Sequence, residues 1–524
     1  MKSAAGGAEG IAFESGAGRW LVAVTVAGSG MAFLDGTVVN VALPEIGDDF
    51  GASTASLQWI LNGYLLTLAS LILLGGSLGD RYGRRRVFIA GVALFTFASL
   101  LCAVAPSAGL LVAARLLQGV GGALLTPGSL ALIEASFRPG DRARAIGAWS
   151  GLGGVATALG PLLGGYLIGA ISWRAIFLIN LPIGVFVGWA ASRHVPETRD
   201  PTATGRLDLR GAALAALGLA GTTYALIEAP EQGASAAVLL AAIGGVLALL
   251  AFFSGERRAA SPMLPLEIFR SRQFSAANAV TFVVYAALSG FFFLLVSFLQ
   301  ISLGYTPIEA GAASLPVTLL MLLLSARSGA LAQRIGARIP LTVGPLVIAV
   351  GLLLMTGYGP GSGYFTGILP AIVVFGLGLT LVVAPVTATV LAAADTRHSG
   401  IASGVNNAVA RVAGLLAVAV LPVAVGLTGE SFYDPAKMTS GFHDAMIICA
   451  LLAALGGALA WLTISAGVLH PEPEPGGDTP ERLAEDYSCA INGPSLRPGR
   501  EAECTVGAPL SSIGSGQPRE GDRR

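Results

Sequence analysis

The chain has 524 residues and a formal net charge of +0; hydrophobic types make up 54% of it and charged types 12%, against about 25% charged in an ordinary soluble domain. So little polar surface excludes a water-soluble globule; the even charge balance by itself does not speak to nucleic acid, whose binders need a concentrated basic face, and nucleic acid is not expected as a partner. The cysteines Cys102, Cys449, Cys489 and Cys504 have no C-x-x-C spacing and read as unpaired thiols, so no metal site is expected.

A bilayer core of about 30 Å takes about 20 apolar residues at 1.5 Å each, and only helices or closed barrels satisfy the backbone there. Apolar runs of helical length are predicted as spans at 20–43, 57–76, 87–105, 110–132, 144–169, 175–191, 209–229, 236–253, 274–300, 308–329, 339–358, 366–391, 400–425 and 441–467. The first run is too long for a signal-peptide core of about 7–15 residues and is read as a retained span. The stretch from His470 onward, with PEPEPGGD and then more Pro, Gly and Ser, buries too little apolar surface to repay ordering and is predicted disordered.

Lys and Arg gather in cytoplasmic loops. Every second loop here is rich in them: Arg81, Arg84, Arg85 and Arg86; Arg138, Arg142 and Arg144; Arg193, Arg199, Arg206 and Arg210; Arg257, Arg258, Arg270 and Arg272; Arg327, Arg334 and Arg338; then Arg397. The opposite loops hold Arg174 and Lys437. A miscounted span would scramble this alternation, so it supports the count and places both termini in the cytoplasm.

The loop after span 2, GGSLGDRYGRRR at 75–86, aligns without a gap with the loop after span 10, SGALAQRIGARI at 328–339. Gly76, Leu78, Asp80, Arg81 and Gly83 correspond to Gly329, Leu331, Gln333, Arg334 and Gly336. Secondary transporters are built from such repeats, with the substrate site between them. The predicted organisation is a cytoplasmic N-terminus (1–19), a six-helix bundle (20–191), a linker with two extra transmembrane helices (192–273), a second six-helix bundle (274–467) and a cytoplasmic tail (468–524).

Charges inside the spans are few. Asp35, in Leu34-Asp35-Gly36-Thr37 of span 1, is the acidic residue set well away from a helix end. A carboxylate there costs about 2.5–3.5 kcal/mol on insertion scales, so it is expected to face a water-accessible cavity between the bundles and to exchange protons; a structural ion pair is the other reading. Arg115 and Arg411 are the basic residues inside spans. In the loop at 75–86, Gly79 and Gly83 allow a tight turn, and Asp80 is expected to meet the positive end of helix 3. Gly147, Gly160, Pro161, Gly164 and Gly165 in span 5 read as a packing seam or hinge, with Ala156 among them.

On these residues the chain resembles the major facilitator superfamily, and within it the fourteen-span drug:proton antiporters. The resemblance covers about residues 20 to 467. The loop residues Gly76, Asp80, Arg81, Gly83 and Arg84 are similar to the superfamily's cytoplasmic gate; the span-5 glycines and Pro161 are similar to the antiporter signature, with Ala156 where that pattern has glycine. Residues 34–44 resemble the signature of the fourteen-span exporters, Arg115-Leu116-Leu117-Gln118-Gly119 the span-4 motif whose arginine takes part in proton coupling, and Trp173-Arg174 with 177–182 a stretch common in that group.

The resemblance implies an all-α membrane fold of two six-helix bundles plus two inserted helices, and a proton-coupled exporter of small, lipophilic molecules working by alternating access in the cell (inner) membrane. Asp35 and Arg115 would couple protons. Asn40, Gln118, Asn406, Asn407 and Arg411 are candidates for substrate contact or for a structural role. No P-loop of the form G-x-x-x-x-G-K-[ST] occurs, so the proton gradient is the expected energy source, with no cofactor and no catalytic residue. Two alternatives stand beside this: a dedicated exporter of an endogenous metabolite or self-made antibiotic, and, more remotely, a membrane-embedded enzyme.

Overall fold

The computed structural model describes residues 10–200, 207–259, 262–394 and 399–469. Among them the chain forms 14 helices long and apolar enough to cross a membrane: α1 (Gly16–Phe50), α2 (Thr54–Tyr82), α3 (Arg84–Ala103), α4 (Ala108–Ser136), α5 (Pro139–Ala170), α6 (Ala175–His194), α7 (Leu209–Gln232), α8 (Ala236–Glu256), α9 (Arg272–Ile301), α10 (Pro307–Ile335), α11 (Arg338–Met355), α12 (Tyr364–Ala392), α13 (Ile401–Ala424) and α14 (Pro435–Thr463). Each falls on a predicted run. The described residues hold no strand beyond an isolated bridge between Ile11 and Phe137. The tail predicted disordered lies, from residue 470, outside the described residues.

Helix ends outrun the apolar cores where caps satisfy the free backbone groups. At α1 the Ser15 hydroxyl accepts from the Gly18 N–H, and Gly51 closes the far end at φ 57°, so the helix exceeds the predicted 20–43 by a turn or more at each end.

Helices α1 to α6 pack among themselves, chiefly as α2 on α4, α3 on α4, α1 on α5 and α3 on α6; α9 to α14 form the second bundle. The inserted pair, α7 and α8, pack on each other, and α7 lies against α2 and α13. Helix α8 turns Leu240 and Leu247 outward, 72% and 60% exposed, a face suited to lipid chains. The internal repeat is visible in the backbone: Gly83 (φ 113°) and Gly336 (φ 84°) take left-handed conformations at the same step of the two aligned loops.

The bundles are latched at the arginine-poor face. There Thr54 Oγ1 donates to the Gly429 carbonyl (3.2 Å), Gln58 Nε2 to that of Val418 (2.7 Å), and the Tyr433 hydroxyl to that of Ala52 (2.8 Å). Deeper in the seam, Gln300 Nε2 donates to the Val41 carbonyl at 3.0 Å.

Candidate functional site

Asp35 is wholly buried, and five helices of the first bundle converge on it. Arg115 of α4 donates through Nη1 to Asp35 Oδ2 at 2.5 Å, and Gln118, one turn on, donates through Nε2 to Oδ1 at 2.8 Å. The same Arg115 nitrogen reaches Gln118 Oε1 (2.6 Å), while Nε donates to the Ile60 carbonyl of α2 at 3.0 Å. Ser99 of α3 accepts from Gln118 at 2.9 Å and from Asn180 of α6 at 3.3 Å. The guanidinium lies over the Tyr64 ring, 4.6 Å from its centroid, with Phe177 at 5.8 Å. Gly119 makes this approach of α4 to α2 feasible, since a Cβ there would run into the Tyr64 carbonyl.

This corrects one expectation. Asp35 does not face a chamber between the bundles; it is 0% exposed, and Arg115 only 1%. The reason is local: α4 offers a guanidinium and an amide within reach, so both carboxylate oxygens are compensated inside the first bundle, as burial of a charge requires. Gln118 belongs to this network. Ser99, Tyr64 and Asn180 were not singled out from the sequence as members, although each is a polar group inside an apolar run. Chemically, the arrangement can respond to a change of charge: a proton on Asp35 would end its ion pair and leave Arg115 its bonds to the Ile60 carbonyl and Gln118 Oε1.

The loop at 75–86 forms a second polar cluster. Arg84 Nε donates to Asp80 Oδ1 at 2.8 Å. A further correction follows, because Glu197 rather than Asp80 caps α3: its Oε1 accepts from the Arg85 backbone N–H at 3.1 Å, and its Oε2 lies 3.7 Å from Arg85 Nε and 3.6 Å from Arg86 Nε. Asp80 ends the preceding helix and is drawn to the Arg84 side chain one turn later, whereas the loop after α6 delivers Glu197 to the helix start. Nothing in the spacing of 75–86 marks a residue more than a hundred positions away. Gly76 makes an ordinary contact with Pro127, and the Arg81 guanidinium lies 5.7 Å from the Tyr82 ring centroid.

In α5, the glycines face two ways. Gly160 and Gly164 lie against Thr37 and Val38 of α1, and Gly165 against the Pro307 carbonyl of α10; Gly311 of α10 in turn approaches the Pro161 carbonyl. These residues thus form part of the seam between the bundles. Gly147 is exposed with open space where a side chain would stand. The remaining candidates lie apart: Asn40 donates to the Gly36 carbonyl, Asn406 to Thr281 Oγ1 (2.8 Å) and Asn278 Oδ1 (3.2 Å) of α9, and Asn407 to the Ser403 carbonyl. Arg411 is partly buried in mid-α13.

At the latched face, burial pushes the Tyr433 hydroxyl up to about 12, and the Asp48 charge adds to it. The Asp434 carboxyl is held below its ordinary value, chiefly by the Lys437 N–H and also by the Ala436 N–H of the helix it caps.

Among the described residues, two latched helical bundles and a buried acid–arginine pair define a polytopic secondary-transporter fold. The Major Facilitator Superfamily matches residues 25–418, and the chain belongs to it. It is 36% identical over 397 residues to multidrug resistance protein Stp of Mycobacterium tuberculosis (strain CDC 1551 / Oshkosh), covering 75% of this chain and 73% of that one. It is 36% identical over 417 residues to the tetracenomycin C resistance and export protein of Streptomyces glaucescens, covering 79% and 77%. Among solved structures, a peptide transporter in complex with sulfate shares the fold at TM-score 0.61 and 16% identity, over 84% of this chain and 94% of that one.

Proposed function

We propose that this protein is a proton-driven exporter of small, lipophilic drugs or antibiotics, working by alternating access in the cell's inner membrane with both termini in the cytoplasm. The observation that carries the reading is the Asp35 carboxylate, engaged by Arg115 and Gln118 inside the first bundle. Relatives named for multidrug resistance and for tetracenomycin C export support the direction and the cargo, and the arginine-rich loops support the orientation.

In this reading the latched face is the outer one, and the state seen is closed to the outside. A proton arriving from outside neutralises Asp35 and releases the guanidinium from it, leaving the Ile60 carbonyl and Gln118 Oε1 as its partners. The interior of the first bundle gains a net positive charge and α1 loosens from α4. Release of the proton to the cytoplasm restores the pair and resets the carrier. Each charge crossing supplies about 2.3 kcal/mol per 100 mV, to which a pH gradient adds.

Asp35→Asn is expected to insert in the membrane yet lose uphill efflux of a fluorescent drug from everted vesicles; proton-dependent transport surviving in that variant would remove Asp35 from the role. A dedicated exporter of a self-made antibiotic is favoured by the tetracenomycin C relative, and a narrow resistance spectrum in an efflux-deficient host selects it. A carrier fits better than an enzyme: His194 stacks on Trp20 at 4.3 Å in the first bundle and His443 bonds the Tyr358 carbonyl in the second, so these bases do not meet at one site.

A further inference from the structure

The Asp35 pair leaves one intramembrane cation unexplained. Arg411 lies midway along α13, and its direction follows from its neighbours. Asn406 and Gly414 face α9, through Thr281 and Ser289, while Val412 and Leu415 pack into a cluster with Leu66 and Ala69 of α2. At about 100° per residue, Arg411 leaves the helix between these two faces, opposite Val420, which is 42% exposed. It therefore points into the seam between the bundles.

Among the described residues, Arg411 has no hydrogen bond and no ion pair. Asp35 does not serve it: that carboxylate is paired with Arg115 and held by Gln118 inside the first bundle, with no ion pair to Arg411. A guanidinium stays protonated, and holding it at mid-membrane without an anion is costly. Exposed Asn407, one turn earlier on the same side of α13, adds a further polar group.

We infer that Arg411 anchors a negative group of the cargo, so that the transported class is an amphipathic organic anion: a carboxylate or phenolate on an apolar body, with the charge on the guanidinium and the body between the bundles. This rests on the export reading and narrows its substrate. Planar, forked donors suit a carboxylate, which explains an arginine where a lysine would give only a point charge.

The test is equilibrium binding to the full-length protein in an uncharged detergent, read by fluorescence anisotropy with two dyes of similar size, fluorescein as the anion and rhodamine 6G as the cation. Wild type is expected to bind fluorescein more tightly. Arg411→Ala should weaken fluorescein about tenfold or more, Arg411→Lys should recover part of the loss, and rhodamine 6G binding should hold or tighten. Unchanged fluorescein binding in Arg411→Ala, no fluorescein binding by wild type, equal loss of both dyes in both variants, or displacement of fluorescein by stoichiometric phosphatidylglycerol would each overturn the assignment. Efflux from vesicles separates the two readings: fluorescein binding without proton-driven transport sinks the export reading alone, and rhodamine 6G transport without fluorescein binding sinks the anion site alone.

Discussion

Asp35 and Arg115 each solve the other's problem. A charge with 0% exposure has no water to hold it, and removing one member of a buried pair costs about 3–5 kcal/mol because the other is stranded. Asp35→Asn should therefore lower thermal stability as well as efflux. In the double variant Asp35→Asn/Arg115→Gln, no net charge is left buried, so most of the melting temperature should return while efflux stays lost. Thermal unfolding in detergent reads this; a double variant no more stable than Asp35→Asn would show that the pair is not the dominant interaction. The sequence made Asp35 and Arg115 legible as lone charges in apolar runs. Their contact was not, because eighty positions separate them and only the packing of α4 on α1 and α2 joins them.

At the scale of the helix, α5 shows why a motif's residues are not equivalent. Gly165 has the Pro307 carbonyl where a side chain would go, whereas Gly147 has open space. Gly165→Val forces α5 and α10 apart and should cost about 1–3 kcal/mol, the usual range for overpacking, with slower efflux; Gly147→Ala should be silent in thermal unfolding. Equal melting temperatures for wild type and Gly165→Val would mean that the seam yields at no cost. The glycine spacing was readable in the sequence, but which glycine touches the other bundle depends on how α5 is rotated, and α5 carries apolar or small residues on every side.

For the molecule as a whole, the proposed alternating access makes the latch at the arginine-poor face the contact that sets the balance between access states. Gln58 and Tyr433 each contribute a neutral hydrogen bond across it, worth about 0.5–1.5 kcal/mol apiece. Gln58→Ala with Tyr433→Phe should shift the population several-fold toward the outward-open state. A cysteine at Asn407, with Cys489 and Cys504 replaced by serine, should then label faster from outside; an unchanged rate counts against the latch. Tyr433 is neutral below its ordinary value near 10, so its bond is fully present there and is lost only as pH rises through about 12. The Tyr433 bond is thus constant over physiological pH, as the proposed proton sensing at Asp35 requires.

Some of this was fixed before folding. Apolar runs of bilayer length determine the fourteen helices, because lipid offers no partner for a free backbone, and alternating arginine loops count them. The repeated turn at Gly83 and Gly336 was equally local, since a left-handed step is a property of one residue. Tertiary structure alone decided that Asp35 is enclosed within a bundle, that Glu197 instead of Asp80 caps α3, and that Arg411 has no anion among the described residues. Those outcomes depend on which helix faces meet. In a chain that is apolar all round its helices, periodicity does not mark those faces, so only packing selects them.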